Sequence, residues 1–169
     1  MSNIFVYITY IRTSPEKLWQ ALTEPEFQRQ YFLGAQMLSD WKQGSAWKMV
    51  YTDGRVTDNG EVLEIDPPKR IVLKWRNEFM PEIKADGYTR CTFAIEQEGE
   101  MVKLAITHEA DGPHKLLGHV ANGWPLILSS LKSLLETGKG LSRPASKLEV
   151  VSIAKRFWRQ RCTVPRCTA

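Results

Sequence analysis

The segment from Gly123 to Gly138 constrains the fold most, because its large apolar residues recur every three or four positions. That period is typical of a helix that lies with one face on a core. The apolar residues of this segment are Trp124, Ile127, Leu128, Leu131, Leu134 and Leu135. The chain from about Met37 to Glu109 instead has the character of strands separated by turns. A long helix after such a run predicts a curved sheet that wraps around the helix and encloses a cavity.

The strand candidates are regularly spaced, which is typical of an antiparallel meander. The stretches between them carry turn residues, such as Thr52-Asp-Gly54 and Asp66-Pro-Pro68. The β-branched and aromatic residues 3–12 predict a first strand. The later candidates are Ala35–Ser39, Ser45–Tyr51, Arg55–Ile65, Arg70–Phe79, Tyr88–Glu96 and Met101–Glu109, with a polar loop over Met80–Asp86.

Two short helices are predicted between the first and second strands. Thr13 or Ser14 can cap the first helix, and Pro15 suits its first position. Thr23, with Glu26 three residues later, indicates a capping box at the start of the second helix. The predicted fold class is therefore α+β: a helix-grip fold in which a curved antiparallel β-sheet wraps around a long C-terminal helix.

Two residue types predict local irregularities in this fold. Pro125 inside the long helix removes one backbone hydrogen bond, so we expect a kink near Trp124 or a helix that begins again there. Gly60 inside a strand candidate indicates a β-bulge that helps the sheet to curve. Thr137-Gly138 is a typical end for the helix.

Alternation along the strands predicts which side chains face the helix. The inward sets are Trp47, Met49 and Tyr51; Ile71, Leu73 and Trp75; Cys91, Phe93 and Ile95; and Val102, Leu104, Ile106 and His108. Aromatic side chains can line a ligand pocket or fill a core. The candidate ligand-binding residues are Trp47, Tyr51, Trp75, Phe93, His108 and Trp124. His108 can orient a polar ligand atom or act as an acid or base, or it can hydrogen-bond to backbone at the sheet rim.

The positive charge of the chain belongs to its end. Residues 1–140 contain 16 Lys and Arg and 18 Asp and Glu, whereas residues 141–169 contain seven Lys and Arg and one Glu. The overall net charge of +4 is therefore no argument that the main domain binds nucleic acid. The segment Ser146–Gln160 can form a basic amphipathic helix with Leu148, Val151, Ala154 and Trp158 on one side. Such a helix would need a surface, on its own domain or on a neighbouring copy in a homodimer.

The chain lacks the sequence patterns of metal, cofactor and nucleophile sites. His114 and His119 are five residues apart, which is not the spacing of a helical metal-binding pair. No glycine-rich phosphate loop and no nucleophile elbow occurs. We therefore predict no metal, no cofactor and no catalytic residue.

Three cysteines give no even disulfide framework, and no export signal or membrane-spanning run is visible, so a cytoplasmic protein is expected.

Several motifs in order resemble the SRPBCC, or START-like, superfamily. They are Ser14–Pro25, Asp40–Gly44, Gly60–Pro68, Thr107-His108 and Gly123–Gly138, and the resemblance covers roughly residues 3–141. Within the superfamily they are similar to the branch named after the C-terminal domain of the activator of heat-shock protein 90 ATPase. The resemblance implies a helix-grip domain over residues 1–141, with 142–169 as a basic extension that departs from the family.

The resemblance and the predicted cavity together leave three functions open. The first is a small cytoplasmic protein that binds a hydrophobic molecule, aromatic or acyl and so including lipids, between the sheet and the C-terminal helix. The second is a co-chaperone-like interaction module of the stress response. The third is an enzyme that acts on a hydrophobic substrate in the same cavity. The enzyme would need two convergent titratable groups inside, and alternation identifies only His108.

Overall fold

A seven-stranded antiparallel sheet and four helices make up residues 2–141, the part of the chain that the computed structural model describes. The sheet order is β1-β7-β6-β5-β4-β3-β2, so β1 and β2 form its two edges. The strands are β1 (Ser2–Ile11), β2 (Ala35–Ser39), β3 (Ala46–Tyr51), β4 (Val56–Asp66), β5 (Arg70–Asn77), β6 (Thr89–Glu98) and β7 (Met101–Asp111). The helices are α1 (Pro15–Thr23), α2 (Pro25–Tyr31), α3 (Pro81–Lys84) and α4 (Lys115–Thr137).

The predicted α+β helix-grip fold is confirmed. Helix α4 lies against the sheet and buries Leu116, Trp124, Leu128, Leu131 and Leu134. Burying large apolar side chains of this kind contributes about 2 kcal/mol each. The helix runs unbroken through Pro125 rather than beginning again there, and it ends at Gly138 in the left-handed conformation (φ 78°). The helix predicted over Ser146–Gln160, including Leu148, lies outside the described residues. The domain boundary at residue 141 stays a prediction.

Helices α1 and α2 are joined to the sheet by one buried amide. Ser14 caps α1 by accepting a hydrogen bond from the Lys17 N–H, as predicted. The capping box predicted for α2 is wrong: the hydroxyl of Thr23 instead donates to the Trp19 carbonyl, so Glu24 precedes α2 without a side-chain cap. The fully buried Gln28 donates to the Leu22 carbonyl and accepts from the backbone N–H of Met37 in β2.

Gly60 allows β4 to pack closely against β5 and does not form a bulge. Both pairing irregularities leave an extra residue on β4: Thr57 is skipped in the pairing with β3, and Leu63 in the pairing with β5. A Cβ atom at Gly60 would lie 1.7 Å from the Lys74 carbonyl oxygen, which no side chain can tolerate. The prediction of a β-bulge at Gly60 is therefore wrong. A glycine inside a strand can mark the close approach of a neighbouring backbone as well as a bulge, and here it marks the close approach.

Candidate functional site

The concave face of the sheet carries a cluster of aromatic rings beneath α4, here called the ring cluster. Strands β3, β5, β6 and β7 each contribute one ring, and α4 contributes the fifth. Neighbouring ring centroids lie between 4.5 Å (Trp47–Trp75) and 6.1 Å (Trp75–Trp124) apart, so the rings are in contact. The members of the ring cluster are Trp47, Trp75, Phe93, His108 and Trp124.

Five of the six candidate binding residues thus lie together, and Tyr51 does not. Tyr51 is half-buried at the end of β3, beyond the pairing shift after Met49, and it contacts the Arg55 guanidinium at 5.6 Å from the ring centroid. Strand β3 pairs regularly with β2 through Tyr51, and as the last residue of the strand Tyr51 packs at the margin of the core. Its role in binding stays a prediction.

His108 is fully buried and has no hydrogen-bond partner among the described residues. Its ring lies edge-on to Trp75, with centroids 5.3 Å apart, and 5.9 Å from the Trp124 ring. Burial lowers the pKa of His108 from 6.5 to about 3, with a smaller contribution from the neighbouring His114. The imidazole is therefore neutral at pH 7, with one N–H donor and one acceptor nitrogen.

Trp124, whose ring neighbours that of His108, has a third buried polar atom. Its Nε1–H has no acceptor among the described residues. The other indoles of the cluster are satisfied: Trp47 donates to the Lys74 carbonyl at 3.0 Å and Trp75 donates to the Asp58 carboxylate at 2.9 Å. Leaving a buried polar group unpaired costs about 1–3 kcal/mol. His108 and Trp124 are therefore the members of the ring cluster whose buried polar atoms have no hydrogen-bond partner in the described chain.

Asp58 is a buried carboxyl that the alternation analysis missed. It is 7% exposed and accepts hydrogen bonds from the Trp75 indole and, at 3.1 Å, from the Asn77 amide. Burial raises the pKa of Asp58, while these hydrogen bonds counteract part of the increase. The signal was available in the sequence, because Asp58, Gly60 and Val62 alternate and Val62 is an apolar residue that belongs inside.

Two open clefts lie on the surface, away from the unpartnered polar atoms. One has a volume of about 410 Å³ and is bordered by Thr23, Met37 and Trp41. The other, of about 540 Å³, is bordered by Lys48, Lys74 and Tyr88 on the outer face of the sheet. Neither cleft reaches His108 or Trp124.

Metal binding, membrane insertion and a reactive cysteine find no support in the described residues. Within residues 2–141, no three His, Cys, Asp or Glu side chains come together as a metal site. No helix of this part combines the length and apolar character needed to cross a membrane. Cys91 is a fully buried free thiol, and burial raises its pKa well above the usual value, so it is a poor nucleophile.

The architecture, a curved antiparallel sheet that grips a long C-terminal helix, defines a helix-grip domain of the SRPBCC type. The family model described as Activator of Hsp90 ATPase homolog 1-like protein matches residues 12–136. The chain therefore belongs to the Activator of Hsp90 ATPase homolog 1-like family, which confirms the resemblance seen in the sequence. No curated protein is significantly similar to the chain.

Solved structures with the same fold come from bacteria and a protozoan. Protein MLL2253 from Mesorhizobium loti is 24% identical with a TM-score of 0.67, covering 79% of this chain and 96% of that one. The Aha1 dimer from Colwellia psychrerythraea is 26% identical with a TM-score of 0.65, covering 82% and 99%. PFC0360w, an HSP90 activator from Plasmodium falciparum, is 24% identical with a TM-score of 0.63, covering 78% and 95%.

Proposed function

We propose that the protein binds a small hydrophobic molecule, aromatic or acyl, between the sheet and α4, with an oxygen of the ligand at His108 and Trp124. One observation carries the proposal: of the six buried side-chain polar atoms without a partner in the described chain, three belong to the ring cluster, namely both nitrogens of His108 and Nε1 of Trp124. Buried polar groups are almost always hydrogen-bonded, so an exception in an interior is a candidate contact for a ligand.

The chemistry of these atoms limits the polar part of the ligand. Trp124 supplies a donor, and the neutral His108 supplies one donor and one acceptor. A hydroxyl oxygen can accept and donate at once, and a carbonyl oxygen can accept from either ring. A carboxylate is less suitable, because the surroundings of His108 disfavour the charged imidazolium that would balance it. The apolar part of the ligand would contact the faces of Trp75 and Phe93.

Helix α4 supplies a route for entry. The rings are in contact in the described structure, so a ligand must part α4 from the sheet. Pro125 has no N–H, so the Ala121 carbonyl loses its helical hydrogen bond one turn before the proline. Gly118 and Gly123, which lie in this half of α4, carry no side chain that packs on the core. We infer that the N-terminal half of α4 moves outward when the ligand enters.

Isothermal titration calorimetry with a panel of flavonoids, fatty acids and fatty alcohols tests the proposal. We expect binding of hydroxyl or carbonyl compounds, and Trp124→Phe should weaken it about fivefold to tenfold, since it removes one hydrogen bond but keeps a ring. Trp41→Phe is the matched control, because the Trp41 indole donates to the Thr23 carbonyl outside the cluster. Equal affinities of the two variants, or no binding across the panel, would contradict the proposal.

An enzyme acting in the same interior is a second candidate, favoured by one observation. Asp58 provides a second buried titratable group beside His108, with the Trp75 indole between them. The depressed pKa of His108 makes it a weak base, which favours binding over catalysis. Incubating the bound panel compounds with the protein and following their masses decides between the two: a changed ligand mass indicates turnover.

A protein-interaction role is the alternative that the family name favours. The Plasmodium falciparum relative is described as an HSP90 activator and the Colwellia psychrerythraea relative as a dimer. A co-chaperone role in the stress response and a homodimer are therefore further proposals for this chain, tested by stimulation of the ATPase of heat-shock protein 90 and by light scattering. A cytoplasmic location is proposed on the same family grounds.

A further inference from the structure

The outer face of β1 carries an apolar row that the described chain leaves uncovered. On β7, the residues beside the middle of the row are Thr107 and Ala105, which are too small to cover it. The row consists of Ile4, Val6, Ile8 and Tyr10, whose exposed fractions are 55%, 51%, 48% and 40%. We call these residues the outer β1 row.

Strand β1 also lacks the features that normally protect a sheet edge. Between Ser2 and Ile11 there is no charged residue and no proline, and the pairing with β7 runs without a bulge. Folded proteins protect edge strands with charges, prolines or bulges, or they cover them. Helix α4 packs on the opposite face of β1, on the side of Phe5 and Tyr7, and Lys132 Nζ donates to the Tyr10 carbonyl oxygen at 2.6 Å. The outer β1 row therefore requires a cover from elsewhere.

The sequence after Leu141 contains an apolar face long enough to cover more than half of the row. A helix turns 100° per residue, which over residues 150–159 gathers the apolar side chains on one half of the surface and the cations on the other. Lys147 and Leu148, one turn earlier, do not follow this division. The apolar half comprises Val150, Val151, Ile153, Ala154, Phe157 and Trp158, and the opposite half comprises Ser152, Lys155, Arg156 and Arg159. From Val150 to Trp158 such a helix extends about 12 Å, compared with about 20 Å for the outer β1 row.

We propose that residues 146–160 form an amphipathic helix that lies on the outer β1 row of their own domain. A helix of this length is marginal alone in water, so its stability would come from the surface that it covers. Since both surfaces belong to one chain, docking takes place at a high effective concentration, which favours the same molecule over a second copy.

Reach and charge both permit this arrangement. Leu141 is fixed beside α4 by a hydrogen bond of 2.9 Å from its N–H to Ser130 Oγ. The five residues from Leu141 to Ser146, where the proposed helix begins, span up to about 17 Å when extended, which exceeds the 10–12 Å diameter of a helix with its side chains. Residues 1–140 have more acidic than basic side chains, whereas residues 141–169 carry seven Lys and Arg and one Glu. The two parts therefore attract each other.

Thiol labelling in the full-length chain tests the proposal. Val6→Cys places a reactive group in the outer β1 row, and peptide mass spectrometry separates its labelling from that of Cys162 and Cys167. We expect Val150→Asp, on the apolar half of the helix, to accelerate maleimide labelling at position 6 about tenfold, which corresponds to 1.4 kcal/mol of docking free energy. Ser152→Asp, which introduces the same charge on the opposite half, should leave the rate unchanged.

Three results would overturn the proposal. Fast labelling at position 6 in all three proteins means that the segment does not cover the row. Equal acceleration by Val150→Asp and Ser152→Asp means that charge alone matters. Protection that disappears on dilution, with a mass by light scattering that falls in parallel, assigns the cover to a second copy. Ile8→Cys repeats the measurement at another position of the row, in case Val6→Cys perturbs folding.

Discussion

Acid should destabilise this protein through His108, and His108→Leu should remove that part of the pH dependence. The imidazole is fully buried without a partner among residues 2–141, so burial holds its pKa at about 3 instead of 6.5. Between these pH values the unfolded chain binds a proton that the folded chain does not. The free energy of unfolding therefore rises with pH in this window and falls as the pH is lowered from 6.5 towards 3.

The size of the effect follows from the two pKa values. Each pH unit below 6.5 costs about 1.4 kcal/mol as long as the folded protein stays unprotonated at His108. Lowering the pH from 7.5 to 5 should thus remove about 2 kcal/mol from the wild-type protein relative to His108→Leu. Asp58, whose pKa is raised, and Asp86 and Glu136, whose pKa values are lowered, titrate in both proteins and cancel in the difference.

Urea denaturation followed by circular dichroism, at half-unit steps from pH 5 to pH 7.5, measures this difference. His119→Gln is the matched control, because His119 is exposed and its replacement should leave the slope of the wild-type protein in place. Parallel pH profiles for the wild-type protein and His108→Leu would refute the reasoning, since the imidazole would then have a partner that stabilises its charged form.

Two further substitutions test the packing on both sides of the ring cluster. Trp124→Ala should lower the free energy of unfolding by about 3–5 kcal/mol. Leu126→Ala, at a position 46% exposed on the same helix, should change it little. Equal effects of the two substitutions would place Trp124 at the periphery of the core. Gly60→Ala should disrupt the pairing of β4 with β5, since its Cβ would lie 1.7 Å from the Lys74 carbonyl oxygen. Gly118→Ala, which meets nothing within 4 Å, should instead stabilise α4 by up to about 1 kcal/mol. Thermal unfolding compares the two glycine variants, and a folded, unshifted Gly60→Ala protein would contradict the model of strand packing.

Periodicity was sufficient to predict the architecture, because the elements of this fold are long and one-sided. The burial of Ile71, Leu73 and Trp75 on one face of β5 and of Leu128 and Leu131 on α4 follows directly from alternation and helical spacing. Short local elements were harder to predict. The polar loop predicted over Met80–Asp86 contains the short helix α3, because Pro81 suits a first helical position and Ile83 gains a buried place.

The candidate site was only partly predictable, since contacts between strands decide it. Alternation identified His108 as inward, but only the pairing of β6, β7 and β5 brings it to Trp75 and shows that it has no partner. Tyr51 follows the alternation of β3, but it is the last residue of that strand and packs at the margin of the core, which alternation does not reveal. Asp58 was missed because an acidic residue in a strand is ordinarily assigned to solvent.

The indole signals of the protein in a ¹H–¹⁵N NMR spectrum test the central claim most directly. Trp124→Phe assigns the Nε1–H signal of Trp124, which has no acceptor in the described chain, while those of Trp47 and Trp75 are already hydrogen-bonded. Saturation with the panel compound of highest affinity should move the Trp124 signal downfield and by more than the other indole signals, because it gains an acceptor. A Trp124 signal that stays in place at saturation, while signals elsewhere move, would show that the ligand binds outside the His108–Trp124 site.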